Sequence, residues 1–220
     1  MIRLFAIAVM MALWADVRAQ VIPVPKGYTL IDSVSGDLDK DGLWEMVALY
    51  NTRSDTFNIP RELIIYKPDT AGWKVWKRSN QVVMGSADGG TMGDAYNSME
   101  INEQFLLITQ SGGSNWKWGE VDKYKYIDSA LYLVGYTATN GHPCDYWMEV
   151  NFNLLSGKLA VKKEFEDCEK DQAIYKRENE SFIQKGIRIT LEKRRSAEVQ
   201  FFSPTYHHEI TIARKEFTSP

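Results

Sequence analysis

From Met148 to Phe165 the chain reads MEVNFNLLSGKLAVKKEF. Met148, Val150, Phe152 and Leu154 fall on one face of an extended segment, Ser156-Gly157 reverses the chain, and Leu159, Val161, Lys163 and Phe165 continue the pattern on the way back. A period of two belongs to a strand, and one apolar face belongs to an antiparallel hairpin with one side buried. Related segments run along the sequence: EMVALY, RELIIYKP, GWKVWKR, MEINEQFLLITQS, WKWGEVDKYKYI, ALYLVGYTAT, GIRITLEKR, EVQFF and HEITIARKEF. Pro68 to Gly72 is turn chemistry and joins the second and third of these into a hairpin. Aromatic residues make up 12% of the chain, which suits strands. Only residues 166–180, EDCEKDQAIYKRENE, read as a charged, weakly helical insert. The expected fold is all-β, with about ten antiparallel strands in a propeller-blade-like or sandwich arrangement. A single β-rich domain is expected over residues 20–220.

The chain has 220 residues, 44% of them hydrophobic and 25% charged, enough for a true core and too apolar for disorder. A formal net charge of -3 supplies no field to recruit nucleic acid, which is excluded as a default partner. The opening MIRLFAIAVMMALWADVRAQ has a basic start at Arg3, a short apolar run from Leu4 to Ala15, and small residues before Gln20. These features predict a secretory signal over residues 1–19, cut after Ala19, and a secreted or periplasmic product. The run is too short to span a bilayer, and no later segment is apolar enough to do so. Cys144 and Cys168 are the only cysteines, and in an exported chain such a pair is expected to form one disulfide. Closing that loop is worth about 3 kcal/mol through the unfolded state.

A second feature is GDLDKDGLWEMVALY, beginning at Gly36. Asp37, Asp39 and Asp41 alternate, Gly42 permits a sharp turn, and Glu45 opens an apolar run. Counting Asp37 as the first position, carboxylates stand at one, three, five and nine, and the Leu43 carbonyl at seven. Hard oxygens at this spacing suit Ca²⁺, with its six to eight ligands and tolerant geometry. Position twelve is Ala48 rather than a bidentate Glu, and strands rather than helices flank the loop, so it is no EF-hand. The missing ligand predicts a weak site, on the order of 10⁻⁴ to 10⁻³ M.

GDLDKDGLWEMVALYN resembles the calcium loop and following strand of FG-GAP or VCBS-type repeats, which occur in integrin-like β-propellers and many exported bacterial proteins. The resemblance implies a structural Ca²⁺ held by Asp37, Asp39, Asp41 and Glu45, with a backbone oxygen from Leu43. The segments GGTMGDAYNSMEI, GGSNWKWGEVDKYKY, LYLVGYT and VNFNLLSGKL are also similar to secreted proteins carrying one such loop. One acidic loop in place of a series implies a blade-like sheet extended into a sandwich or partial propeller.

Other motifs are less specific. The glycines around Asp88 and Asp94 fit turn geometry better than an anion cradle, since no nucleotide-binding pattern accompanies them. His207 and His208 are adjacent and would point to opposite faces of a strand. Trp116 and Trp118 follow Gly112-Gly113-Ser114-Asn115 and are the first candidates for a ligand groove. The sequence carries no G-x-S-x-G or H-E-x-x-H pattern. The expected function is that of an exported, non-enzymatic calcium-binding β-domain with a structural or interaction role at the cell envelope, its partner an envelope protein or a glycan. The alternative is a carbohydrate-binding module using exposed tryptophans.

Overall fold

A computed structural model describes residues 21–52, 56–70, 72–169 and 174–213. The expected signal, residues 1–19, lies outside them. The described chain is all-β and antiparallel. Four strands, β1 (Thr29–Gly36), β2 (Glu45–Asn51), β3 (Arg61–Asp69) and β4 (Gly72–Ser79), form one sheet in chain order. Seven more form a second meander: β5 (Tyr96–Asn102), β6 (Phe105–Gly113), β7 (Lys117–Ile127), β8 (Ala130–His142), β9 (Tyr146–Asn153), β10 (Lys158–Glu166) and β11 (Ile174–Ile183). A short 3-10 turn (Leu191–Lys193) precedes the hairpin β12 (Val199–Phe202) and β13 (Glu209–Ala213). Thirteen strands thus stand where about ten were expected. No described helix is long and apolar enough to cross a membrane.

The predicted hairpin is β9–β10, with Phe152 opposite Leu159 and Val150 opposite Val161. Three segments depart from the sequence reading. MEINEQFLLITQS, read as one strand, is the end of β5, a turn at Glu103-Gln104 and the antiparallel β6. The charged stretch contains β11 rather than a helix, because Glu178, Glu180 and Phe182 alternate onto the face that meets Lys163, Val161 and Leu159. GIRITLEKR forms no regular strand. It touches β8 through a single bridge, Thr190 to Tyr132, and then enters the 3-10 turn.

The two sheets share one core, a sandwich-like arrangement. Val47, Leu49, Leu63 and Ile65 of the small sheet pack with Leu106, Ile108, Tyr124, Phe152 and Val161 of the large one, and Ile210 and Ile212 of β13 complete it. The other face of β2 and β3 is buried too. Met46, Ala48, Tyr50, Ile64 and Tyr66 lie under Ile22, Tyr28, Leu30 and Trp73, and the Tyr50 hydroxyl donates to the Pro23 carbonyl. Two-sided burial explains why EMVALY is a continuous apolar run rather than an alternating one.

Arg194 brings a cation into this interior and is 1% exposed. It donates through Nε and Nη2 to Asp122 (2.5 and 2.9 Å) and through Nη1 to the Ile212 carbonyl (2.6 Å). Glu120 lies 3.3 Å from Nη2 and also accepts from Arg195 at 2.7 Å. The network ties the 3-10 turn and β13 to β7. Removing one partner of a buried pair strands the other charge. Arg194→Ala should therefore cost about 3–5 kcal/mol in urea unfolding, and a loss below about 1 kcal/mol would show the pair to be incidental.

Candidate metal site

Between β1 and β2 the chain must reverse while exposing its acids. Leu38 turns inward to the core and anchors the loop. Lys40 (φ 67°) and Gly42 (φ 84°) take left-handed conformations, at low steric cost for the glycine. Asp37 accepts from the N–H of Lys40 at 2.7 Å and of Gly42 at 3.1 Å, while Asp41 accepts from that of Leu43 at 2.8 Å. Glu45, the first residue of β2, is fully buried, and one of its oxygens accepts from the Leu38 N–H at 2.7 Å.

Asp37, Asp39 and Glu45 each bring a carboxylate oxygen to within 4.8 Å of the others. Asp41 is outside that trio. Leu43 has its side chain 54% exposed and its N–H engaged by Asp41. Asp39 Oδ1 and Glu45 Oε1 are buried with no hydrogen-bond partner among the described residues. Orphaned carboxylate oxygens in a dry site fit a bound cation, and a donor set of oxygens alone fits a hard one.

A cation of the chain's own reaches the same carboxylates. The Lys67 ammonium, from β3, lies 2.5 Å from Asp39 Oδ2, 2.7 Å from Asp41 Oδ2 and 3.5 Å from Glu45 Oε1. It also sits 4.7 Å from the ring centre of Trp76, within cation–π range. Trp76 is the extra residue of a bulge in β4: Ile65 pairs with Lys77 and Tyr66 with Val75, and the residue between has no partner. Bulges re-aim side chains, and this one places an indole against the ammonium.

The charges answer to these contacts. Burial raises the pKa of Glu45; Asp39 and Asp41 add to the rise, and the Leu38 N–H and Lys67 oppose it. Burial disfavours the charged form of Lys67, but hydrogen bonds to Asp39 and Asp41 outweigh it and raise its pKa. Asp41 is lowered, first by Lys67 and then by the Leu43 N–H. Lys67 was not singled out in the sequence, and Trp76 was counted only among the tryptophans that could meet a sugar. The usable signal was register, since extending the β2–β3 pairing one step beyond Met46 and Tyr66 sets Lys67 opposite Glu45.

The remaining positions are elsewhere. Cys144 and Cys168 form a disulfide with Cα atoms 5.0 Å apart, joining the β8–β9 turn to the segment after β10. Trp116 precedes β7 and is 46% exposed, its ring 5.2 Å from Tyr146 and 5.4 Å from His142. Trp118 lies on β7 over Gly112, where an added Cβ would meet its ring at 2.8 Å. Asp94 is paired with the buried Arg61, and Asp88 bonds Asn58 and the Gly85 N–H. A Cβ on Gly89 would meet the Gly93 carbonyl at 2.4 Å, so the glycine loop serves close packing.

An acid whose folded pKa lies above its unfolded value opposes folding at neutral pH, and this cost fades as pH falls through the folded value toward the ordinary 4.5. Glu45→Gln removes that cost while its amide oxygen can still accept from Leu38. In the presence of chelator, Glu45→Gln should unfold at a higher urea midpoint than the parent at pH 7, and the difference should shrink as the pH approaches 4.5. A lower midpoint would mean that the carboxylate's pairing with Lys67 outweighs its burial.

No family model, no characterised protein and no solved structure matches the chain.

Proposed function

We propose that the chain is an exported, non-enzymatic β-domain that takes up Ca²⁺ in the loop from Asp37 to Glu45, with a structural or interaction role at the cell envelope. The observation that carries this reading is Glu45: a fully buried carboxylate with one oxygen that has no hydrogen-bond partner among the described residues, in a trio with Asp37 and Asp39. The resemblance of the loop to FG-GAP and VCBS-type repeats points to the same ion and rests on the loop's own residues. Export is supported by the leader-like opening, and the Cys144–Cys168 disulfide is compatible with it.

Lys67 bears on how the ion binds. A metal at Asp39 and Glu45 shares those carboxylates with the ammonium, and the two cations repel. The lysine stem is long enough to swing its head toward water. The loop's carboxylates are therefore partly compensated in either state, and the competition fits a weak, extracellular-type affinity.

Calcium at about ten times its Kd should add about 1.4 kcal/mol, a rise of about 3–5 °C in the melting midpoint over the chelator-treated protein. Asp39→Ala should abolish the rise. Lys67→Met separates the two cations: it should destabilise the chelator-treated protein by about 1–3 kcal/mol, yet bind calcium about tenfold more tightly in calorimetry. If Lys67→Met lost stability without gaining affinity, the ammonium and the metal would not share a site. If neither protein took up calcium at millimolar concentration, the reading would fail.

A further inference from the structure

The inner face of the large sheet is not uniform. Along β7, β8, β9 and β10 it is apolar at the end occupied by Tyr124, Leu133, Phe152 and Leu159. Toward the disulfide it changes character. Trp118 pairs across to Asn140, Asn140 to Met148, and Met148 to Lys163. One step further on, His142 pairs with Tyr146 and Tyr146 with Phe165. Trp116 joins this outer row, whose ring centres are 5.2 Å apart from Trp116 to Tyr146 and 6.2 Å from Tyr146 to Phe165.

Strand β13 does not lie flat on this end. Between it and the sheet is a groove of about 340 Å³, lined among others by Trp118, Asn140, Met148, Met84, Glu209 and Thr211. The volume is at the small end of the range for small-ligand sites, about 300–1,000 Å³. The lining combines an indole, hydrogen-bonding side chains and thioethers. Glu209 is exposed, and its one hydrogen bond among the described residues is a 3.5 Å contact from the Thr211 hydroxyl. Asn140 Oδ1 is buried with no hydrogen-bond partner among the described residues. Glu120 also lines the groove, but its charge is matched by Arg194 and Arg195.

We infer that this groove is a binding site for a neutral glycan, with one sugar ring against Trp118 and the chain running out over Trp116 and Tyr146. A pyranose offers an apolar C–H face for an indole and a rim of hydroxyls. Glu209 accepts hydrogen bonds from those hydroxyls, and Asn140 and Thr211 supply further partners. The charge of the lining selects against anionic sugars and phosphates: Glu209 is present, and among the described residues no lysine or arginine lines the groove itself to receive an acid. The rim is held in shape by the adjacent disulfide and by Lys163, whose ammonium lies 3.7 Å from the Tyr146 ring centre. This site is separate from the acidic loop, and the inference does not depend on the metal.

The test is a titration of the full chain, with calcium present, followed by ¹⁵N–¹H NMR. The probes are cellohexaose, mannohexaose and chitohexaose, with hexagalacturonate as the anionic arm. At least one neutral hexasaccharide should shift the Trp118 indole N–H and the Thr211 amide, with Kd below about 1 mM. Glu209→Gln, a change at an exposed position, should weaken that binding about tenfold with an unchanged melting midpoint. Trp116→Ala should weaken hexasaccharide binding while leaving the Trp118 shift in place, because the inner subsite remains. Three results would overturn the inference: no neutral probe bound at about 10 mM, hexagalacturonate bound more tightly than every neutral probe, or Glu209→Gln binding as well as the parent.

Discussion

The structure turns on a carboxylate placed where a strand has no wet side. β2 is covered on one face by the shared core and on the other by the segment that carries Ile22 and Tyr28. Glu45 opens that strand and points the way Val47 and Leu49 point. A carboxylate in such a place is expensive to keep ionised unless positive charge comes to it. The loop geometry, the reach of Lys67 and the bulge that brings Trp76 over the ammonium all follow from that demand. The acids of the loop are thus more than a solvated turn: Asp39 and Asp41 hold the lysine head in place, and Asp37 folds the backbone around them.

A second buried charge is handled in another way. Arg194 is surrounded by fixed acceptors from β7 and β13, with no route to water. The two sites differ in kind. Around Arg194 the partners are complete and the arrangement is rigid. Around Glu45 an oxygen is left over, and the compensating cation sits on a flexible stem. The difference is what separates a structural brace from the arrangement that the proposed metal site requires.

The sequence revealed strands wherever one face met water, as in β9–β10, because alternation survives there. It revealed β2 through its unbroken apolar run and β3–β4 through the Pro68 to Gly72 turn. It misled in β11, where charge hid the pattern, in GIRITLEKR, and in MEINEQFLLITQS, where a tight turn lies inside an apolar stretch. In β11, Glu178 and Glu180 occupy the inward positions and are matched by Lys176 and neighbouring N–H groups, so the segment looks helical by composition. In GIRITLEKR the alternation is present but the pairing partner is not, since β8 is already flanked by β7 and β9. At the candidate site the ligand residues were legible because they are consecutive. Lys67 and Trp76 were not, because their placement depends on register and on a one-residue bulge, and neither leaves a local mark. The groove beside Trp118 was legible only as a tryptophan pair after a glycine turn; Glu209 and Thr211 reach it from a strand far along the chain.

Every strand of both large sheets pairs with its neighbour in sequence. Such a meander closes only short loops as it forms, so it can assemble by successive hairpins without the long searches that slow most β-topologies. The terminal hairpin is the exception. It must travel from the end of the chain to lay Ile210 and Ile212 into the core and offer the Ile212 carbonyl to Arg194. The order of assembly that follows is a sheet zipped first and a latch dropped last, and the groove beside Trp118 acquires its second wall only when the latch is down.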